Sequence, residues 1–134
     1  MTATQSTDYI ELRAHSAFSF LRGAALPEEL VARAAALDYP ALALGDRDGL
    51  YGAPRFHQAA VKAGLRAIVG AEVRIAATER VPESCLYLLV ASRQGYRDLC
   101  RLITAAKLRA AKREGVHTWD DLEDRTDGLI CLAG

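Results

Sequence analysis

Short apolar stretches alternate with amphipathic helical patterns along most of the chain. An unbroken apolar run of about four to eight residues is typical of a buried strand, whereas apolar positions repeating at helical spacing indicate a helix. Strands are predicted at 9–12, 41–44, 67–75, 85–91 and 128–132. Helices are predicted after the first, second and fourth of these strands. This order predicts βα units on a parallel sheet or barrel.

Several residues mark where the predicted helices and strands begin and end. Pro27 begins the first helix with a suitable fixed φ, and Gly64 ends the second. Ser92 is a good N-cap for the third helix. The polar segment 45–52 is expected to be a loop, and Gly70 is expected to interrupt the third strand.

Length and composition fit a single α/β domain. The chain has 134 residues, 51% of them hydrophobic, which is enough for one domain with its own core. Residues 1–8 are polar, so we expect a disordered N-terminus followed by one domain over residues 9–134. No segment approaches the roughly 18 apolar residues of a membrane span, so no membrane contact is expected.

The charge balance and the cysteines indicate which binding partners and which cellular compartment to expect. Seventeen basic residues balance seventeen acidic ones, so any contact with DNA must be local or come from a larger assembly. The three cysteines are widely spaced and odd in number. This pattern favours a reducing compartment over a disulfide framework, and we expect a cytoplasmic protein.

Polar residues follow the apolar runs, where the chemistry of an α/β barrel is found. They are Arg13, His15, Ser16, Ser19 and Arg22, then Asp46, Arg47 and Asp48, with Glu72 inside the third strand. The imidazole and carboxylates could hold zinc, manganese or iron. Arginine opposes a cation and favours a phosphate or an ion pair with a carboxylate such as Asp46. Asp46 and Asp48 could also simply shape the turn before Gly49.

Three segments resemble the first three motifs of the PHP (polymerase and histidinol phosphatase) domain. They are ELRAHSAFSFLRG at 11–23, ALALGDRDGLYG at 41–52 and IVGAE at 68–72. The segments RFHQAA at 55–60 and YRDLCRLIT at 96–104 resemble, in particular, the error-prone branch of bacterial DNA polymerase III alpha subunits. The similarity extends from about Tyr9 to Gly134, and the motifs agree in order and spacing.

The resemblance implies a distorted (βα)7 barrel that holds up to three metal ions and has phosphoesterase or 3′→5′ exonuclease activity in intact members. This α/β chain is expected to form about the first half of that barrel, with mainly parallel strands alternating with helices. The remaining strands and ligands of the family would lie beyond Gly134. We therefore interpret the chain as truncated.

The metal-binding positions implied by the resemblance are only partly kept. His15 and Glu72 match ligands of the first and third motifs, and Cys85 stands where a further histidine usually opens the fourth strand. Arginine occupies three other ligand positions, as Arg13, Arg22 and Arg47. Zinc or manganese is expected only if this degenerate site still works, and otherwise no cofactor is expected.

Structural roles are also open for these residues. Glu72 could form an internal ion pair with Arg13 or Arg47, which would preserve the barrel mouth without metal. Cys85 could be a small core residue. His117 is expected to face solvent or to make a local hydrogen bond, and it is assigned no role.

We expect a catalytically silent PHP module that braces the rest of an error-prone polymerase in DNA replication or translesion repair synthesis. The alternative is a metal-dependent phosphoesterase or 3′→5′ exonuclease. A third interpretation is a pocket that binds a phosphate-bearing ligand without turnover. Expected partners are the remaining polymerase domains or other replication and repair proteins, with DNA contacted only indirectly. An exposed sheet edge would also allow self-association.

Overall fold

A computed structural model describes residues 7–111, 115–123 and 125–133, so residues 1–6 of the predicted N-terminal segment lie outside it. The strands are Glu11–Ala14 (β1), Ala41–Arg47 (β2), Arg66–Ile75 (β3), Ser84–Val90 (β4) and Leu129–Leu132 (β5). The helices are Pro27–Ala36 (α1), Ala53–Ala63 (α2), Arg93–Arg109 (α3) and Trp119–Leu122 (α4). In the described ranges, no helix is long and apolar enough to cross a membrane.

The five strands form one curled sheet in the order β1-β2-β3-β4-β5, as expected for about half of an α/β barrel. The predicted fold class is confirmed, but the direction of the later strands differs from the mainly parallel expectation. Strands β1, β2 and β3 are parallel, whereas β4 is antiparallel to β3, and β5 is antiparallel to β4. Residues 76–83 join β3 to β4 without a helix, so β4 returns alongside β3 in the opposite direction.

Two predicted interruptions of the sheet are wrong. Residues 45–47, expected in a loop, continue β2 and pair with β3 as far as Arg47, which lies in register with Glu72. Strand β3 passes through Gly70 unbroken. A Cβ at Gly70 would lie 2.5 Å from the Leu88 carbonyl oxygen, so glycine allows β4 to approach at this point.

The helices cover the outer face of the sheet in two apolar clusters. Helices α1 and α2 pack on β2 through Val31, Ala34, Leu42, Leu44, Phe56, Ala60 and Leu65. Helix α3 packs on β3 and β4 through Ala71, Val73, Ile75, Leu86, Leu88, Leu99, Leu102 and Ile103. Leu37, the C-cap of α1, and Tyr96 in α3 lie outside both clusters and are 42% and 41% exposed.

The side chain of Tyr87 on β4 crosses the inner face of the sheet and reaches β1. Its hydroxyl donates a hydrogen bond of 3.1 Å to the carbonyl oxygen of Ala14 at the end of β1. Those strands are three positions apart, roughly 14 Å in a flat sheet, so only a strongly curled sheet permits the contact. The ring crosses Gly45, where a Cβ would lie 2.2 Å from the tyrosine hydroxyl. Glycine at this point of β2 therefore leaves room for the side chain that spans the curl.

Candidate functional site

The carboxyl ends of β1, β2 and β3 bring several of the predicted site residues together at one mouth of the curled sheet. His15 follows β1 directly, Arg47 ends β2, and Glu72 lies beside Arg47 in register on β3. Tyr87 faces Glu72 from β4 and contacts the His15 ring edge-on, with centroids 5.9 Å apart. Because β1, β2 and β3 are parallel, their carboxyl ends lie at this one edge of the sheet.

Glu72 is engaged by a histidine and an arginine. His15 Nε2 lies 3.1 Å from Glu72 Oε2, and the half-buried pair has side chains 20% and 12% exposed. Arg22 Nη1 lies 4.0 Å from the other oxygen, Oε1. One carboxylate oxygen therefore contacts an imidazole and the other faces a fixed positive charge.

The ion pair predicted for Glu72 has a different arginine from the two expected. Arg13 places its Cζ 6.0 Å from the centre of the Tyr87 ring instead. Arg47 places its Nε 3.9 Å from Asp48 Oδ2. Arg22 comes from the loop after β1, and strand register could not have revealed how far its long side chain reaches.

Cys85 lies at the rim of the same mouth and is exposed, so the prediction of a core residue is wrong. Because β4 is antiparallel to β3, the first residues of β4 lie beside the last residues of β3, and Cys85 pairs with Arg74. Partial burial and the neighbouring Glu72 carboxylate raise the pKa of the Cys85 thiol. The thiol stays protonated at neutral pH, and a thiol binds metal far less well than a thiolate.

Asp46 holds the loop that carries His15 and Arg22. The residue is 2% exposed and belongs to β2 rather than to the turn before Gly49. Within the described residues its carboxylate forms no ion pair with an arginine. Its Oδ1 accepts hydrogen bonds from the Ser16 backbone N–H at 2.6 Å and the Ser19 hydroxyl at 2.7 Å. Its Oδ2 accepts one from the Ser16 hydroxyl at 2.7 Å.

Arg74 is a charged residue of the mouth that sequence reasoning missed. It donates from Nε to Asp48 Oδ2 at 3.2 Å and from Nη2 to the Gly115 carbonyl at 3.2 Å. Asp48 itself adopts a left-handed backbone with φ 53° and donates its N–H to the Glu72 carbonyl at 2.8 Å. The two-residue alternation of a strand puts Arg74 on the same face as Glu72, and this signal could have identified it.

The donors at this mouth do not match a metal cluster. Zinc sites in proteins supply at least three protein ligands, usually deprotonated thiolates, neutral imidazoles or carboxylates. Here His15 and Glu72 supply two such donors 3.1 Å apart, whereas the Cys85 thiol is protonated and Arg22 lies 4.0 Å from the carboxylate. Across the described ranges, no group of three or more His, Cys, Asp or Glu side chains is arranged to hold a metal ion.

Relatives of this chain are large DNA polymerases. The chain is 47% identical over 116 residues to an error-prone DNA polymerase of Mycolicibacterium paratuberculosis, and 53% identical over 98 residues to one of Anaeromyxobacter sp. strain K. These alignments cover 83% and 73% of this chain but only 11% and 9% of the two polymerases. The chain thus spans about a tenth of the length of these curated relatives.

Two solved structures share the fold. One is a putative metal-dependent phosphoesterase from Bifidobacterium adolescentis, with a TM-score of 0.58 and 24% identity, covering 75% of this chain and 34% of that one. The other is an amidohydrolase from Chromobacterium violaceum with bound sulfate and no metal, with a TM-score of 0.59 and 27% identity, covering 74% and 33%. The model of the PHP domain matches residues 11–134. With the motif positions converging at one mouth of a curled α/β half-barrel, the chain belongs to the PHP domain family.

Proposed function

We propose that this chain is the PHP portion of an error-prone DNA polymerase and serves there as a structural module without catalysis of its own. Identities of 47% and 53% to error-prone polymerases support the first part of this proposal. Because the chain matches only about a tenth of their length, it would correspond to one portion of such a polymerase. The remaining polymerase domains are then its partners, and nucleotidyl transfer is their task. Bracing of the polymerase core is the role assigned to the half-barrel.

The observation that supports a site without catalysis is the contact of Glu72 with the fixed positive charge of Arg22. A metal ion at Glu72 would lie close to the Arg22 guanidinium, which is 4.0 Å from the carboxylate and cannot lose its charge. At about 4 Å in an effective dielectric near 20, two unit charges repel by about 4 kcal/mol. Solvent screening lowers this repulsion for Arg22, whose side chain is 48% exposed, and the double charge of the ion raises it. The mouth therefore favours an internal ion pair over a bound cation.

Reversing the arginines tests this explanation directly. The variant Arg13→His/Arg22→Asp/Arg47→His removes the fixed charges and supplies ligand types. A control with the same residue changes at exposed positions is Arg33→His/Arg66→His/Arg80→Asp. After equilibration with zinc or manganese, elemental analysis is expected to find under about a tenth of an equivalent in the wild type and control. The reversal variant is expected to retain about half an equivalent or more.

Stoichiometric metal in the wild type would contradict the proposal, especially if Glu72→Gln removed it. The alternative, a metal-dependent phosphoesterase or 3′→5′ exonuclease, is favoured by one observation, the closeness of His15 and Glu72. It would be supported by metal-dependent release of nucleotides from a primer 3′ end that His15→Ala abolishes. Circular dichroism on each variant establishes that it is folded.

Bracing is tested in the Mycolicibacterium paratuberculosis relative. Replacing its matching segment with this chain is expected to leave a soluble protein that extends primers, whereas deleting the segment is expected to give insoluble or inactive protein. A deletion protein as soluble and active as the parent would refute the structural role. This result does not depend on bound metal, so the structural role and the absence of catalysis can be refuted independently.

A further inference from the structure

A second cleft lies beside the mouth, between the loop after β1, the turn after β2 and the C-terminal half of α3. Its volume is about 920 Å³, within the range of small-molecule sites in proteins. Its lining includes Phe18, Phe20, Arg47, Tyr51, Lys107 and His117. The lining includes Arg47, one of the three arginines that occupy ligand positions of the family motifs. His15 and Glu72 are not part of the lining.

The cleft is locally positive on a chain whose formal net charge is zero. Arg47, Arg74 and Lys107 line it, against the single carboxylate of Asp48 among the described lining residues. Arg74 is held in place by Asp48 Oδ2 and the Gly115 carbonyl, while the Arg47 side chain is one-third exposed. Such a cluster in a recess attracts an anion that can accept several hydrogen bonds, as a phosphate does.

Two aromatic residues of the cleft lining are largely exposed. Phe20 is 85% exposed and Tyr51 is 59% exposed. Lys107 hydrogen-bonds the Tyr51 hydroxyl, and its Nζ lies 4.4 Å from the centre of that ring. Exposed rings next to cations form a stacking platform for a planar, electron-rich group such as a nucleobase.

The floor of the cleft contains an unsatisfied polar atom. His117 is 2% exposed, which corrects the expectation that it faces solvent, and its Nδ1 has no hydrogen-bond partner in the described part of the chain. Its backbone is fixed against β3 by hydrogen bonds of 2.8 Å to Arg74 and 2.7 Å from Ala76. A buried imidazole nitrogen without a partner is costly. The nitrogen is enclosed by protein atoms, so the ligand contacts proposed for the cleft do not include it.

We propose that this cleft binds one nucleotide unit, with the base stacked on Phe20 or Tyr51 and the phosphate held by Lys107 and Arg47. The unit is a free nucleoside monophosphate or one nucleotide of a single strand, since both present the same base and phosphate. The site does not depend on the silent-module proposal, because none of its contacts requires a metal. It would give the chain a direct, local contact with nucleic acid.

Fluorescence anisotropy of a labelled oligothymidylate of eight residues tests the site on the purified chain, with unlabelled thymidine monophosphate and inorganic phosphate as competitors. Phe20→Ala is expected to weaken binding at least about fivefold, as the loss of one stacked base does. Its matched control is Leu21→Ala, an adjacent side chain that is 89% exposed and outside the cleft lining. Lys107→Ala is expected to lower the salt slope of log K by about 0.7, and the control Lys62→Ala to leave it unchanged.

Competition by the monophosphate identifies a free nucleotide as a sufficient ligand, and binding of the oligonucleotide without such competition identifies a strand. Either result supports the cleft if Phe20→Ala and Lys107→Ala weaken it while the controls do not. Three results would overturn it. They are no saturable binding at millimolar ligand, inorganic phosphate competing as well as the nucleotide, and losses in the controls equal to those in the cleft variants.

Discussion

At the scale of single residues, Asp46 connects the buried sheet to the loop of the candidate site. Its carboxylate gathers the Ser16 and Ser19 hydroxyls, and the Ser19 oxygen also accepts the Arg47 backbone N–H at 3.0 Å. His15 immediately precedes this clamp and Arg22 lies just after it. The clamp therefore fixes the direction from which both side chains approach Glu72.

Replacing Asp46 with alanine is expected to lower the free energy of unfolding by about 3 kcal/mol or more. Three hydrogen bonds to a charged acceptor are lost, and Ser16 and Ser19, which are 0% and 1% exposed, keep hydroxyls without that partner. Urea denaturation followed by circular dichroism measures the loss. The exposed control Glu83→Ala is expected to stay within about 0.5 kcal/mol of the wild type. A loss below about 1 kcal/mol for Asp46→Ala would mean that the loop is held by other contacts.

The sequence predicts the position of a site residue well where that position follows from strand register. It predicts the position poorly where the path of a loop or the reach of a long side chain determines it. His15 and Glu72 could be placed together because carboxyl ends of parallel strands meet at one edge. Arg22 was not identifiable as the partner of Glu72, because the reach of a loop arginine is not periodic. Cys85 was misplaced because its apolar strand was assumed to be parallel and buried along its whole length.

At the scale of elements, helix α4 is attached to the end of α3 by one bidentate ion pair. Arg109 Nη1 and Nη2 donate to the two oxygens of Asp121 at 2.8 and 2.6 Å. Asp121 also accepts the Thr118 backbone N–H at 2.8 Å, which caps α4. A four-residue helix has little stability of its own, so it depends on these contacts and on the buried side chain of Leu122 to stay docked.

Asp121→Asn is expected to reduce stability in a pH-dependent way. Hydrogen bonds from Arg109 hold the pKa of the Asp121 carboxyl well below its usual range, so the stabilisation is fully present above the unfolded value near 4. It is lost as pH falls through the lowered folded value. The deficit of the variant is expected to be about 1 kcal/mol at pH 7 and to narrow as pH falls from about 4 to 2. Urea denaturation at several pH values, with Asp120→Asn as the control, measures this deficit, and a pH-independent deficit would contradict the assignment.

At the scale of the whole molecule, one curled sheet supports two separate apolar clusters on its outer face. The cluster under α1 and α2 centres on β2, and the cluster under α3 centres on β3 and β4. The sequence pattern predicted both, because each lies under an amphipathic helix. It did not predict the antiparallel return of β4 or the crossing of the inner face by Tyr87. These follow from a short connection and a long-range contact that no local pattern encodes.

The two clusters are expected to unfold together, because β3 belongs to the sheet under both of them. Phe56, which is 0% exposed in the first cluster, can be replaced with alanine at a cost of about 3–5 kcal/mol. Trp119, the single tryptophan of the chain, begins α4, whose Leu122 belongs to the second cluster. In Phe56→Ala, the midpoint of Trp119 fluorescence is therefore expected to fall as far as the midpoint of circular dichroism. The exposed α2 control Val61→Ala is expected to change neither by more than about 0.5 kcal/mol. An unchanged fluorescence midpoint with a lowered dichroism midpoint would show that the halves fold independently, and would refute the prediction that residues 9–134 form a single domain.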